Sequence, residues 1–314
     1  MALPPSAFQA LTFRLRRMLI NRYLEHLAHE RRSSPHTVAA YKADLDLFMA
    51  YLGESGIAQL ELADGQHLRY WVMARMEAGE SARTVNRRLS AVRGFYRFAR
   101  QVGAVTEAPT DLIDAPKTAK RLPEFVEEGR MAKIFASGAS SDEPKQELEL
   151  LVLELLYGTG MRLAELIALK VGDFDGRSGT LRLLGKRNKE RIVPIHPGLA
   201  DRVRRHIAQR PSRTAAMDKP MLLQPNGKPL SRSGVQRLVR QRLEQATTQQ
   251  KRSPHVLRHT FATHMLDHGA DLNAVKEILG HAGLAATQVY THNTAEKLKK
   301  AHAQAHPRGG RRAG

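Results

Sequence analysis

The chain of 314 residues contains no cysteine. Disulfide bridges are therefore excluded, and so is any zinc site built on thiolates, a pattern that suits a reducing cytoplasm. Long apolar runs are also missing. The opening "MALPPSAFQALTF" carries two prolines and no uninterrupted apolar stretch. Nothing approaches the roughly 20 apolar residues of a membrane span, so neither a secretory signal nor a membrane role is expected. Acidic residues are scarce relative to basic ones: 31 Asp+Glu face 50 Lys+Arg, giving +19 (50 − 31). A field of that sign attracts polyanions, of which nucleic acid is the commonest, although a basic surface that only aids solubility would show the same excess.

What is present is a core and a helical pattern. Hydrophobic residues make up 42%, enough for globular domains, and the length suits two of them. Residues 14–105 read as a first domain of four helices. "RLRRMLINRYLEHLAHERR" places Leu15, Leu19, Tyr23 and Leu27 at near-helical spacing. "SSPHTVAAYKADLDLFMAYLGESG" begins with a Ser cap and a first-turn proline. "GQHLRYWVMARMEAG" and "SARTVNRRLSAVRGFYRFARQVG" follow. The last has Arg83, Arg87 and Arg88 toward one side and Leu89, Val92, Phe95 and Phe98 near the other. Such a helix packs on a core and offers cations to phosphates, or is simply an amphipathic surface helix. Residues 106–123, with Pro109, Pro116 and Pro123, read as an extended linker.

Residues 124–307 read as a mixed domain. "KQELELLVLELLYG" is a strongly apolar helix broken by Gly158-Thr159-Gly160. "MRLAELIAL" starts another, with Arg162 in its first turn and Glu165 within reach of it. "GTLRLLGKRNKERIVPI" reads as a β-hairpin with Lys186 at its tip. "SRSGVQRLVRQRLEQA" is a helix exposing Arg232, Arg237 and Arg240. The tail 308–314 is expected to be disordered.

The segment "PHVLRHTFATHML" poses a question. His255 and Arg258 lie three apart at a helix start, where the dipole disfavours positive charge. Solvent exposure would make this tolerable, and so would an anion seated between the side chains and the free N–H groups. His281, in "LGHAG", lies at a helix end, where a histidine often only caps. Tyr290, in "TQVYTH", stands alone as an ordinary half-buried tyrosine. Its phenol, with a reference pKa of about 10, is a poor nucleophile unless cations surround the group it attacks. Taken together, two arginines, a lysine, two histidines and a tyrosine could support phosphoryl transfer in which fixed protein charge does the work of a metal.

At these residues the sequence resembles the tyrosine recombinase (phage integrase) family, Xer type, in its XerC branch. "TGMRLAEL", "GKRNKERIVPI", "HVLRHTFATHML", "LGHAGLAATQVYTH" and "AHPR" stand in the family's order, and "TVNRRLSAVRGFYRFAR" resembles its N-terminal core-binding domain. The resemblance implies a mainly α fold: a four-helix, SAM-like core-binding domain, then an α+β catalytic domain with a small β-sheet. It implies that Arg162 and Arg258 clamp the scissile phosphate, that Lys186 protonates the departing 5′ oxygen, and that His255 and His281 assist. Tyr290 would be the nucleophile of a 3′-phosphotyrosyl intermediate, and Glu165 a support residue. Arg83, Arg87, Arg88, Arg232, Arg237 and Arg240 would contact DNA. No metal, nucleotide or other cofactor is implied. The partners would be double-stranded DNA with a dif-like site, a XerD-type recombinase in a heterotetramer passing through a Holliday junction, and the translocase FtsK. An integrase of a phage or mobile element, and a DNA-binding protein without catalysis, are the alternatives. A metal-dependent nuclease using His255, His259, His264 and His268 is disfavoured, because carboxylates at ligand spacing are missing.

Overall fold

The computed structural model describes residues 5–57, 60–111, 113–118, 124–138, 143–185, 189–210, 216–245, 252–280 and 301–307, with the backbone alone at 5–13, 61 and 137–138. The chain divides into two compact units, Met1–Arg121 and Leu122–Gly314, each with a core of its own.

The first unit is helical. It contains α1 (Pro5–His29), α2 (Pro35–Glu54), a 3-10 turn (Leu60–Leu62), α3 (Gly65–Glu77) and α4 (Ala82–Gln101). Local chemistry sets the starts. Ser34, Asp64 and Ser81 each accept a hydrogen bond from the backbone N–H three residues on, closing α2, α3 and α4 at their N-termini. Along α4, Val85, Leu89, Val92, Tyr96 and Ala99 are fully buried, a spacing of three and four that one helix face requires. Leu89, Val92, Tyr96 and Ala99 share a core with Phe48 and Trp71, whose rings cross edge to face at 5.0 Å. Leu19, Tyr23 and Leu27 are buried as their spacing predicts, but Leu15 is half exposed. The segment that reads as a linker is partly built into this unit. Thr110 and Ile113 are buried, and Asn86 and Arg93 of α4 donate to the carbonyls of Pro116 and Ile113.

The second unit holds α5 (Glu128–Gly138), α6 (Pro144–Thr159), α7 (Leu163–Ala168) and a 3-10 turn (Val171–Asp173). Strands β1 (Phe174–Asp175), β2 (Thr180–Leu184) and β3 (Glu190–Pro194) follow, then helices α8 (Pro197–Ala208), α9 (Arg232–Glu244), α10 (Pro254–Asp267) and α11 (Leu272–Leu279). Residues 301–305 form a further helical turn. The three strands are antiparallel in the order β1-β2-β3, and β2 and β3 form the expected hairpin with Leu181 opposite Val193. The two-residue β1 carries too little pattern to be legible in the sequence. Helix α6 is buried on all sides from Leu150 to Thr159, as an apolar helix without a polar face must be. It runs through the centre of the unit, against α5, α8 and α10.

Two glycines end the helices that matter here. Gly160 closes α6 at φ +60 and Gly280 closes α11 at φ +65, a left-handed conformation that side chains with a Cβ adopt only at a cost. A Cβ on Gly160 would lie 2.5 Å from the Phe261 ring and 2.7 Å from Leu279. This close approach brings the breaks after α6 and α11 together.

Candidate active site

Arg162 and Arg258 meet at those two breaks. Arg162 is the N-cap of α7, one position earlier than the first turn expected of it, with extended backbone at φ −76, ψ 150. Its backbone N–H donates to Glu165 Oε2 at 2.7 Å, and its Nη1 donates to Glu165 Oε1 at 2.8 Å. Its Nη2 donates to the carbonyl of Gly280 at 3.3 Å. Arg258, on the first turns of α10, is buried at 9% exposure. It donates from Nη1 to Gly160 O at 2.6 Å and from Nη2 to Leu279 O at 2.7 Å.

A third guanidinium completes the group. Arg191 of β3, 4% exposed, grips both Glu165 oxygens, Nη1 to Oε1 at 2.9 Å and Nη2 to Oε2 at 2.8 Å. Its Nε donates to Ile278 O at 2.8 Å. Arg191 lies within "GKRNKERIVPI" and is not among the site residues expected from the sequence. The signal was available: on β3 it shares the inward register with Val193, and an inward cation in a strand demands a buried acceptor.

The electrostatics follow from this crowding. Burial alone would raise the Glu165 carboxyl, but the hydrogen bonds and charge of Arg191, then those of Arg162, outweigh it and hold it down to about 2. Arg258 is lowered to about 10, first by burial and then by the neighbouring charges of Arg162 and Arg191. Three guanidiniums against one carboxylate leave a net of +2 (3 − 1) in a partly dry pocket. An anion is the natural complement to that charge.

His255, three residues before Arg258 on α10, is exposed. Lys186, His281 and Tyr290 lie outside the described residues. Two of the four clustered histidines, His264 of α10 and His268 at its C-cap, are engaged within the fold. His264 is buried, with Nδ1 2.9 Å from the Tyr157 hydroxyl, and His268 Nδ1 lies 2.8 Å from the His264 carbonyl. No group of three metal-ligating side chains forms among the described residues.

The arginines expected on DNA divide into two sorts. Arg83 is exposed at the start of α4, and Arg232, Arg237 and Arg240 are exposed on α9. Arg87, itself exposed, and Arg88 converge on Asp44, a carboxylate only 1% exposed. Arg88 also holds Glu80 through Nε at 2.7 Å and Nη2 at 3.0 Å. Burial raises the Asp44 carboxyl despite both arginines.

The model of the phage integrase family matches residues 124–297, and that of the phage integrase N-terminal SAM-like domain matches residues 20–103. The chain belongs to the phage integrase family. It is 39% identical over 295 residues to the tyrosine recombinase XerC of Alcanivorax borkumensis, covering 93% of this chain and 95% of that protein. It is 33% identical over 292 residues to the tyrosine recombinase XerD of Staphylococcus haemolyticus, covering 92% and 99%. Among solved structures, a lambda integrase dimer bound to a COC′ core site superposes with a TM-score of 0.67 at 18% identity, over 87% of this chain and 98% of that one. This likeness shows the fold, mainly helical with a SAM-like first unit and a small three-stranded sheet. As a member of this family the chain is a tyrosine-type, site-specific DNA recombinase of the Xer kind.

Proposed function

We propose that the enzyme acts as a XerC-type partner of a XerD-type recombinase, exchanging strands at a dif-like chromosomal site to resolve chromosome dimers at cell division in the cytoplasm. The observation that carries the chemistry is the cluster of Arg162 with the buried Arg258 and Arg191 about one buried carboxylate. Such a group supplies fixed positive charge where a phosphodiester develops negative charge.

In this reading Arg162 and Arg258 hold the non-bridging oxygens of the scissile phosphate. The Tyr290 oxygen attacks phosphorus and loses its proton to a base, with His255 as a candidate. The bond from phosphorus to the 5′ oxygen breaks, and Lys186 gives that oxygen a proton. His281 donates to a phosphate oxygen. The phosphotyrosyl ester conserves the bond, so no ATP is consumed, and a 5′-hydroxyl from the partner duplex reverses the step. Two rounds pass through a Holliday junction. The unit of residues 14–105 and the exposed arginines of α4 and α9 grip the duplex, with the 106–123 segment leading to the catalytic unit. FtsK would act as the external control. The identities to a XerC protein and a XerD protein support the Xer type without separating its two branches; the integrase of a mobile element is the second reading.

A nicked suicide substrate carrying a dif-like site tests the chemistry. Wild type should leave a protein–DNA adduct that survives denaturation, and Tyr290→Phe should bind the same DNA and leave none. Equal adduct from that variant refutes the nucleophile assignment. Adduct that rises when a second, XerD-type recombinase is added separates the chromosomal role from that of a self-sufficient integrase.

A further inference from the structure

We infer that Arg191 is a positioning residue for the recombination chemistry: from the buried side of β3 it fixes Glu165, and through Glu165 the phosphate-facing Arg162, while tying the end of α11 to the same point. The inference rests on the recombinase reading and extends it to a residue that carries no role there.

The geometry runs through one carboxylate. Glu165 Oε1 accepts from Nη1 of both Arg162 and Arg191, and Oε2 accepts from the Arg162 backbone N–H and Arg191 Nη2. With its lone pairs taken by four donors, Glu165 has no other orientation open to it. Arg162 in turn is 28% exposed at its side chain, whereas Arg191 is 5% exposed. One guanidinium faces outward and the other lies behind it. Arg191 thus acts from beneath, without reaching a ligand itself.

The second arm runs to α11. Arg191, Arg258 and Arg162 take the carbonyls of Ile278, Leu279 and Gly280 in succession. These are the acceptors a helix leaves unpaired at its C-terminus, and cations suit the negative end of its dipole. Gly280 permits the approach. A Cβ there would stand 3.1 Å from Arg191 Cδ and 3.2 Å from its Nη1. The strand following Lys186 and the helix preceding His281 are therefore joined at one side chain. The charged groups around Glu165 are Arg162 from its own turn, Arg191 from β3 and Arg258 from α10. Removing Arg191 leaves a buried carboxylate with its largest favourable partner gone, so its pKa moves up toward and beyond the ordinary carboxylate range. Proton uptake by Glu165 then releases Arg162.

The experiment compares full-length wild type, Arg191→Lys, Arg191→Met and the double variant Arg191→Met with Glu165→Gln. DNA affinity, thermal unfolding and the single-turnover rate of adduct formation on the suicide substrate are measured from about pH 8 down to about pH 5. The expected result is a rate loss of about a hundredfold in Arg191→Met, the scale of an ångström-sized misplacement, with DNA affinity near that of wild type. Arg191→Lys, which keeps the charge but loses the fork, should lose less. The ratio of Arg191→Met to wild-type rate should fall further as pH drops, while the ratio for the double variant stays flat, because glutamine does not titrate. Taking ratios cancels the titration of the histidines that all variants share. Should Arg191→Met fail to fold, Arg191→Lys decides: an unchanged rate overturns the inference, and a slowed rate at unchanged melting supports it. A ratio for Arg191→Met that is independent of pH, or a wild-type rate in that variant, also overturns it. A wild type that forms no adduct removes the recombinase reading and this inference together; a wild-type adduct with an insensitive Arg191 removes the inference alone.

Discussion

At the scale of single residues, the site is a problem of buried charge solved with main-chain oxygens. Guanidiniums that would be costly alone are each met by a carbonyl at a helix break or by Glu165. The glycines at those breaks carry the geometry. Gly280→Ala forces a left-handed alanine, at about 1–2 kcal/mol, against the Arg191 side chain. The variant should melt lower and form adduct more slowly. Gly53→Ala, near the end of α2 where no atom lies within 4 Å of the added methyl, should stabilise by about 0.5–1 kcal/mol. Differential scanning calorimetry of the pair checks both signs. The placement of Arg162, Glu165 and Arg258 at helix starts is legible from the glycine break and the proline beside them, whereas their selection as site residues comes from the family resemblance. Arg191 was not, because its partners are carbonyls and a carboxylate distant in the chain, and alternation in a five-residue strand marks only the direction a side chain points.

At the scale of elements, helix boundaries were readable where capping chemistry is local, as at Ser34, Ser81 and Pro254. The packing of the described part of the 106–123 segment was not. Its prolines point to an extended linker, but Ile113 finds a place in the first core and α4 supplies donors to the backbone, a tertiary choice that composition does not register. The helical turn at 301–305 is held by histidines. His302 Nε2 donates to Gly158 O at 2.7 Å, and its ring stacks on His306 at 4.9 Å with planes 5° apart. His306 in turn faces the rings of Tyr157, His196 and Phe261. Burial lowers the His302 pKa, opposed by the Gly158 bond, and burial also lowers that of His264. The folded chain thus stays neutral at positions where the unfolded chain, with a reference value of about 6.5, takes protons. Their contribution is intact above that value and is lost as pH falls below it. Hydrogen exchange at 301–307 should quicken between about pH 7 and pH 5. Replacing His302 by Phe should flatten part of that dependence, with the remainder shared by the other histidines that burial lowers, His264 and His206. An exchange rate independent of pH would contradict the assignment.

At the scale of the whole molecule, the excess of 19 positive charges was the most legible feature, and it bears on binding rather than on fold. Much of the arginine in it has internal work. Arg87, Arg88, Arg191, Arg202, Arg242 and Arg258 all hold partners within their own unit. Arg83, Arg232, Arg237 and Arg240 remain at the surface. Affinity for duplex DNA should fall on the order of a thousandfold between about 50 and 200 mM salt, the slope of roughly six neutralised phosphates. Neutralising Arg237 and Arg240 together should shallow that slope by about two, whereas Arg88→Ala should act chiefly on melting temperature. Fluorescence anisotropy titrated in salt reads the first, and thermal melts read the second.

The grip on the end of α11 has an evolutionary side. Arg191, Arg258 and Arg162 hold oxygens that every amino acid possesses, so the identity of the side chains at 278 and 279 is free to drift among apolar residues without loosening the hold. What cannot drift is the path of the backbone at 280. Homologous chains should therefore vary in the bulk of those two side chains while keeping a residue without a Cβ at the third, and libraries that randomise the helix end should recover active clones sorted by that single position.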